Sequence, residues 1–409
     1  MNILVVTERI PYPIYIGSVT RTYPQFRILG KRHKVVLFCF IGSEGHLKYL
    51  PQVQEIFHSV RHMNDRKKGK RELKGRLLNI LSLKPEPIIE RQHPDFFKAV
   101  ANTIKEIISE EKIDIVYTHL PGMAQYTNGI RNVSKVLDFV DSETLFSWRE
   151  LSKKRVSFSL QYIRDLIDLV RNMRWEARIP HFHDVTVLIS PKDAEVIHRL
   201  SHRAKVQVIP NGVDVDYYFP STVNAKDRSN ILTFHGHMSY PPNVDAMLFF
   251  CKHIMPIVLK QVPGLKLFIV GRNPSPEIKN LQDNHHVQVT GFVDDIRPFL
   301  SQSSICIFPL RKGGGFKNKI AEAMAMGKPV ITTTMGAEGM EVVPGKHCII
   351  ADRPKEFASS IIELLQDQQL MDGLGDSARE LVVKHYSWEN VAAQFESLYK
   401  ILIDQRKTK

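Results

Sequence analysis

The strongest constraint on this chain is an alternation of short apolar runs with helix-period stretches, which begins at the N-terminus and starts again past the middle. Residues 2–8, NILVVTE, and 33–41, HKVVLFCFI, are apolar runs of strand length, separated by a loop around Gly17 and a helical stretch. Phe96, Phe97, Val100, Ile104, Ile107 and Ile108 recur at helical spacing, and residues 113–119, IDIVYTH, follow as another strand. Near-continuous apolar strands joined by helices are what a parallel sheet covered on both faces requires. Residues 147–179 read as a charged helix pair, and 185–189 and 206–209 as strands. After the polar stretch 221–230, STVNAKDRSN, which has linker composition, strands return at 231–236, 265–271, 287–292, 305–310, 329–333 and 348–351, with a helix over 244–262. The expectation is an α/β chain of two units in tandem, residues 1–222 and 229–386. A last helix in 387–409, with Ser387 as its N-cap, is expected to pack back on the first unit.

Bulk properties agree with two ordinary domains. The 409 residues exceed one hydrophobic core, and 43% hydrophobic with 24% charged residues is globular composition. Cys39, Cys251, Cys306 and Cys348 stand far apart, without disulfide or zinc spacing. The first residues lack a basic leader, and no apolar stretch reaches the length of a membrane span, so a cytoplasmic protein is expected, at most peripheral at the inner face of the membrane. The net charge of +13 favours an anionic partner. The densest basic run, residues 61–76, carries eight Lys or Arg against two acids and no aromatic ring for base stacking. It reads as a solvated face or as a dock for an anionic membrane surface; nucleic acid is not expected.

The chemistry concentrates in residues 313–330. The strand 305–310 runs into Gly313, Gly314 and Gly315, and Ile320, Ala323, Met324 and Gly327 then fall at i, i+3, i+4 and i+7, so a helix begins near Lys317. A glycine turn feeding a helix N-terminus aims free amides and the positive helix end at one point, which suits an anion. Lys317 and Lys319 in the first turn oppose the helix dipole unless an anion is bound. Glu322 lies on roughly the same face as Lys319, placed to accept hydrogen bonds from sugar or ribose hydroxyls. The plainer alternative is a glycine turn with solvated lysines.

The stretch GGGFKNKIAEAMAMGKPVITTTMGAEGM resembles the donor-site segment of the group 1 nucleotide-sugar glycosyltransferases of the GT-B fold, especially a bacterial exopolysaccharide-type subgroup. The likeness extends through FHGHMSYPPNVDA (234–246), FIVGRNPSP (268–276), VTGFVDDIRPFL (289–300) and YSWENVAAQFESLY (386–399). In the first half it includes IPYPIYIGSVTR (10–21), VLDFVDS (136–142) and VIPNGVDVDYYFP (208–220). It implies two Rossmann-like domains, an acceptor-side one followed by a donor-binding one. It implies a hexosyltransferase that moves sugar from a nucleoside-diphosphate donor to a glycan, lipid-linked or small-molecule acceptor, retains anomeric configuration and needs no metal or cofactor. By the same resemblance Lys317 and Lys319 hold the diphosphate, Glu322 the ribose, and Gly236 and His237 face the phosphates. Arg272, Phe292 and Val293 border the base, Gly17 lets the first loop approach the donor with Arg21 nearby, and His119 faces the reacting sugar. Taken alone, His119 is equally a satisfied strand-end histidine and Arg21 a surface arginine.

The chain departs from the family where an acid stands eight residues before the helix glutamate; here that residue is Gly314, and backbone amides are expected to take over the sugar contact. It also reads His237-Met-Ser-Tyr where relatives carry Arg and Lys, which leaves the charge on the phosphates to Lys317 and Lys319. Asp214-Val-Asp216 has the form of a metal-binding D-x-D, but it follows Pro-Asn-Gly and reads better as turn chemistry. Two competing functions are a nucleotide-sugar epimerase on the same scaffold and a non-catalytic basic protein that binds membrane or nucleic acid.

Overall fold

The computed structural model describes residues 1–13, 19–65, 93–154, 156–157, 159–220, 230–283 and 285–408. Gly17 and most of the basic run, residues 66–76, lie outside them. The chain divides into two compact units, Met1–Ile209 together with Val391–Lys409, and Pro210–Asn390.

In the first unit, seven parallel strands form one sheet: β1 Asn2–Thr7, β2 Lys34–Ile41, β3 Ser59–Asn64, β4 Ile115–His119, β5 Ser134–Val140, β6 Val185–Leu188 and β7 Val206–Val208. Their order is β3-β2-β1-β4-β5-β6-β7. The expected helix period is realised in Pro94–Glu110, where Val100, Ile104 and Ile107 are buried against Leu4, Val6, Val36 and Phe38 of the sheet. Phe96, Phe97 and Ile108 pack at the edge of that cluster. The charged stretch forms two helices, Glu143–Ser152 and Leu160–Arg178. Each starts at a serine, Ser142 or Ser159, whose hydroxyl accepts an amide of the first turn.

Two strands of this sheet do not show as apolar runs in the sequence. Strand β3 is an edge strand, half of whose side chains face solvent, so it lacks a continuous apolar signal. Strand β5 contains Lys135 and Asp138, which interrupt its apolar pattern, yet both are buried. Lys135 Nζ reaches the carbonyls of Thr127 and Asn128 at 3.3 and 3.2 Å, and Asp138 pairs with Arg21.

The second unit repeats the plan with β8 Ile231–His235, β9 Lys266–Val270, β10 Val287–Gly291, β11 Ile305–Phe308, β12 Val330–Thr332 and β13 Ile349–Ile350. These are parallel and ordered β10-β9-β8-β11-β12-β13. The helix expected over 244–262 is instead Pro241–Phe249, a widened π turn Phe250–Ile254 and Met255–Leu259. Pro256 has no amide for the regular ladder, and the widened turn falls just before it.

The units divide at Ile209/Pro210, upstream of the polar stretch in which the sequence places a linker. Residues following Pro210 are held by the second unit's own contacts. The Val213 amide donates to the Tyr386 carbonyl at 2.7 Å, Gly212 lies against the Trp388 indole, and the Arg297 guanidinium sits 3.9 Å over the Tyr217 ring. Asp214, the first acid of the D-x-D, accepts the Tyr217 amide at 3.0 Å, which is turn chemistry.

Glu176 is buried between helices and accepts from Ser142 Oγ at 2.8 Å and the Thr144 amide at 3.3 Å. Burial pushes its carboxyl up to about 7 against those hydrogen bonds. A carboxyl held above its unfolded value binds its proton more tightly in the folded state. Its stabilising contribution is therefore complete below the unfolded value and lost as pH rises through about 7. Glu176→Gln keeps an acceptor without the ionisation, so its melting temperature should fall less than that of wild type between roughly pH 5 and pH 8; parallel melting curves across that range would refute the assignment.

Candidate functional site

Strand order in the second sheet reverses between β8 and β11, since β9 and β10 lie on one side of β8 and β12 and β13 beyond β11. At such a reversal the connections leave in opposite directions from the carboxyl ends of the two strands and open a crevice there. The residues after β8 are Gly236 and His237, and those after β11 lead into the glycine turn. Gly236 has φ of +147°, and the neighbouring Gly271 approaches so closely that a Cβ there would lie 1.8 Å from the Gly236 carbonyl oxygen. Only glycine fits at 271, which lets the β9 chain pass directly beneath the β8 turn.

The helix after the turn spans Asn318–Ala325 and begins without a side-chain cap. Its leading amides are therefore not taken up by a capping side chain. Lys319 lies at its start, partly buried. Its ammonium donates to Asn243 Oδ1 and sits 4.9 Å over the Phe234 ring. A Cβ on Gly236 would lie 3.5 Å from this nitrogen, so strand end and helix start converge on Lys319. Asn243 Nδ2 in turn donates to the His237 carbonyl at 2.9 Å. Desolvation first, and then the like charge of Lys317, push the Lys319 ammonium down to about 7 despite Glu322.

Lys317 behaves differently from its expected role. Its ammonium turns back into the glycine turn and donates to the carbonyls of Gly314 and Gly315 at 2.6 and 2.7 Å. It fastens the loop that Gly313 and Gly315 make possible with φ of +105° and +64°. The preceding cations are engaged elsewhere: Arg311 and Lys312 both pair with Asp245, at 2.8 and 3.2 Å.

Glu322 Oε2 lies 3.0 Å from His235 Nε2. His235 is the last residue of β8 and is buried, and its Nδ1 has no hydrogen-bond partner among the described residues. Neither His235 nor Asn243 stands out in the sequence. The single signal for His235 is a polar side chain within an apolar strand run, and Asn243, which precedes the expected helix, gives none. His237 Nε2 is 3.2 Å from Asn273 Nδ2 and from Ser239 Oγ, and desolvation, with Arg272 beside it, pushes its imidazole down. Phe292 is 68% exposed, whereas Val293 packs on Ile231, Phe268 and Val270.

In the first unit the order reverses between β1 and β4, and His119 stands at the carboxyl end of β4. It is buried, with Nδ1 3.4 Å from the Tyr117 hydroxyl. That hydroxyl donates to Asp138, which also receives Arg21 Nε at 2.6 Å. Arg21 is neither a surface arginine nor a group facing a donor. Its side chain is 1% exposed, donates to the Ile209 carbonyl at 2.9 Å and lies under the Phe395 ring. The helix packing that buries it needs its charge for Asp138, and no donor is left facing solvent.

Residues 27–217 match the family described as Glycosyltransferase Family 4, and residues 229–367 match Glycosyl transferases group 1. The chain thus carries a Family 4 and a group 1 glycosyltransferase domain in tandem. An uncharacterised glycosyltransferase of Methanocaldococcus jannaschii is 30% identical over 123 residues, 29% of this chain and 34% of that protein. The N-acetyl-alpha-D-glucosaminyl L-malate synthase of Bacillus anthracis is 24% identical over 345 residues, 78% of this chain and 83% of that protein. The chain therefore spans about a third of the length of the first relative and most of the second. Among solved structures, the Anabaena protein HepE in complex with UDP superposes with a TM-score of 0.67 at 17% identity, covering 98% of this glycosyltransferase and all of that chain. At that identity the match establishes the fold, two parallel-sheet α/β domains of the GT-B type.

Removing one partner of a buried ion pair strands the other charge, at a cost of about 3 to 5 kcal/mol. Arg21→Ala should lower the unfolding free energy of this glycosyltransferase by that amount in a denaturant titration. Nucleotide affinity measured on the folded fraction should remain that of wild type, and a stable variant that has lost nucleotide binding would return Arg21 to the ligand site.

Proposed function

We propose that this glycosyltransferase moves a hexosyl group from a nucleoside-diphosphate sugar to a glycan or lipid-linked acceptor, by a retaining, metal-independent reaction without a cofactor. The observation that carries the reading is Lys319, a partly buried ammonium at the point where the β8 turn, the glycine turn and an uncapped helix N-terminus converge. A cation whose charge is disfavoured in the free site gains most from a dianionic neighbour, and a departing nucleoside diphosphate is such a neighbour.

The residues then divide the work. Lys319 and the leading amides of the helix oppose the charge that develops on the leaving phosphate as the sugar becomes oxocarbenium-like. Lys317 acts indirectly, holding the glycine turn in shape through the Gly314 and Gly315 carbonyls. With Gly314 in place of an acid, the turn offers the sugar only backbone groups. Glu322, oriented by His235, accepts the ribose hydroxyls, and Arg272, Phe292 and Val293 border the base. His119, at the strand-order reversal of the first unit, is assigned to the reacting sugar. No carboxylate in this set is placed as a nucleophile, so the departing phosphate itself is the group that accepts the acceptor's proton on the front face. HepE, which shares the fold and was solved with UDP, supports a nucleoside diphosphate as the ligand.

Binding of UDP and donor hydrolysis, followed by calorimetry and product assay, test the clamp. Lys319→Ala should weaken both by about 100-fold, the usual scale for one charge-stabilising donor. In wild type, diphosphate affinity should fall as pH rises above about 7, because the ligand selects the protonated ammonium and deprotonation then competes with binding. If Lys319→Ala stays within a few-fold of wild type, or affinity is flat from neutral to alkaline pH, the clamp is wrongly placed. Transfer should also survive EDTA, with loss of activity restored by magnesium counting against a purely protein-borne charge stabilisation.

A further inference from the structure

Of the 18 large apolar side chains exposed among the described residues, eight fall within residues 143–178 of the first unit. Leu160, Ile163, Leu166, Val170 and Met173 lie on the helix Leu160–Arg178 and are between 37% and 78% exposed. Their spacing of three and four residues puts them in one stripe along the helix. The opposite face is the packed one: it holds the buried Glu176 and meets the helices Glu143–Ser152 and Pro191–Leu200. The apolar stripe is therefore turned away from the fold that holds the helix. Phe146 and Trp148 on the helix Glu143–Ser152, and Val156 in the connection, are exposed as well.

Charge is ordered around the same helix. At about 100° per residue, Arg174 and Arg178 fall on the Leu160 side of the stripe, Arg171 and Arg164 lie just outside that side, and Asp168 and Asp165 lie beyond them. The ion pairs of this helix among the described residues join Lys154 to Asp165 and Arg171 to Asp168, and they leave out the exposed Arg164, Arg174 and Arg178. Lys153 and Lys154 extend the basic edge into the connection.

We infer that this helix pair docks the protein on an anionic lipid surface, with the stripe at the headgroup and acyl boundary and the arginines among the lipid phosphates. A helix with an apolar stripe bordered by cations is the form of an in-plane interfacial helix. The net charge of +13 draws the molecule to the same surface. No helix among the described residues is long and apolar enough to cross a membrane, which agrees with docking rather than spanning. A protein partner fits less well, because interface cores exclude charge, whereas here three exposed arginines adjoin the apolar stripe. The surface belongs to the first unit and the diphosphate clamp to the second, so this inference stands apart from the donor assignment.

The test is flotation of the full chain with vesicles of phosphatidylcholine alone or mixed with phosphatidylglycerol. The wild-type protein should float with the mixed vesicles, bind pure phosphatidylcholine weakly, and be released by salt. Two double variants at exposed positions, Leu166→Ser with Val170→Ser and Arg164→Glu with Arg174→Glu, should each weaken binding by about tenfold or more. Both should keep the wild-type thermal melt, and since they fail by different routes, a fold defect in one leaves the other decisive. Equal flotation with both vesicle types would overturn the inference, as would well-folded variants that bind like wild type. So would a concentration-dependent dimer that the stripe variant dissolves while vesicle binding is unchanged, because the stripe would then be covered by a second copy.

Discussion

Parallel strand pairing is the constraint from which the rest follows. A parallel sheet needs a crossover for every pair of neighbours, and the crossovers cover both faces, so its strands must be apolar on both sides. Both sheets here begin in the middle and grow outward in two directions, which produces an order reversal between β1 and β4 and another between β8 and β11. Each reversal leaves strand ends facing an uncovered crevice, and these are the places where His119, Gly236 and Lys319 stand. The candidate site of the second unit is thus a geometric by-product of how its sheet is wound, and its chemistry is supplied by the few residues that follow those strands.

Buried charge is used in two ways. Arg21 and Asp138 neutralise one another beneath Phe395, with the Tyr117 hydroxyl completing the cluster, and no group is left over for a ligand. Lys319 has neutral direct partners, the Asn243 amide oxygen and the Phe234 face, and the opposite charge of Glu322 does not outweigh its desolvation and the second cation nearby. The first arrangement is complete without anything bound. The second is electrostatically unfinished, and that difference, more than burial itself, separates a structural cation from a candidate ligand-binding one.

The two lysines of the glycine turn illustrate how far a motif can be read. Their spacing of two residues suggests equal partners on one anion, but in the structure Lys317 bends back onto the turn while Lys319 points into the crevice. The difference arises because Lys317 precedes the first helical residue, where carbonyls of the turn lie within reach, whereas Lys319 is held by the helix beside Asn243. Linear spacing does not contain the loop path that decides between these outcomes.

Local patterns alone specified the two α/β units, nearly every central strand, the glycine turn and the helix starting beside Lys317, because each depends on the apolar or glycine content of a short window. Periodicity also specified which face of Pro94–Glu110 is buried. Tertiary structure alone decided the rest. Strand β5 emerges only when Lys135 finds the carbonyls at the end of the preceding helix and Asp138 finds the distant Arg21. Arg21 becomes a core residue only through Asp138, 117 positions away. His235 meets Glu322 across 87 residues, and Asn243 meets Lys319 across 76. Hydrophobic pattern is a property of neighbours in sequence, but the pairing of buried polar groups is a property of neighbours in space, and only the folded sheets bring those together.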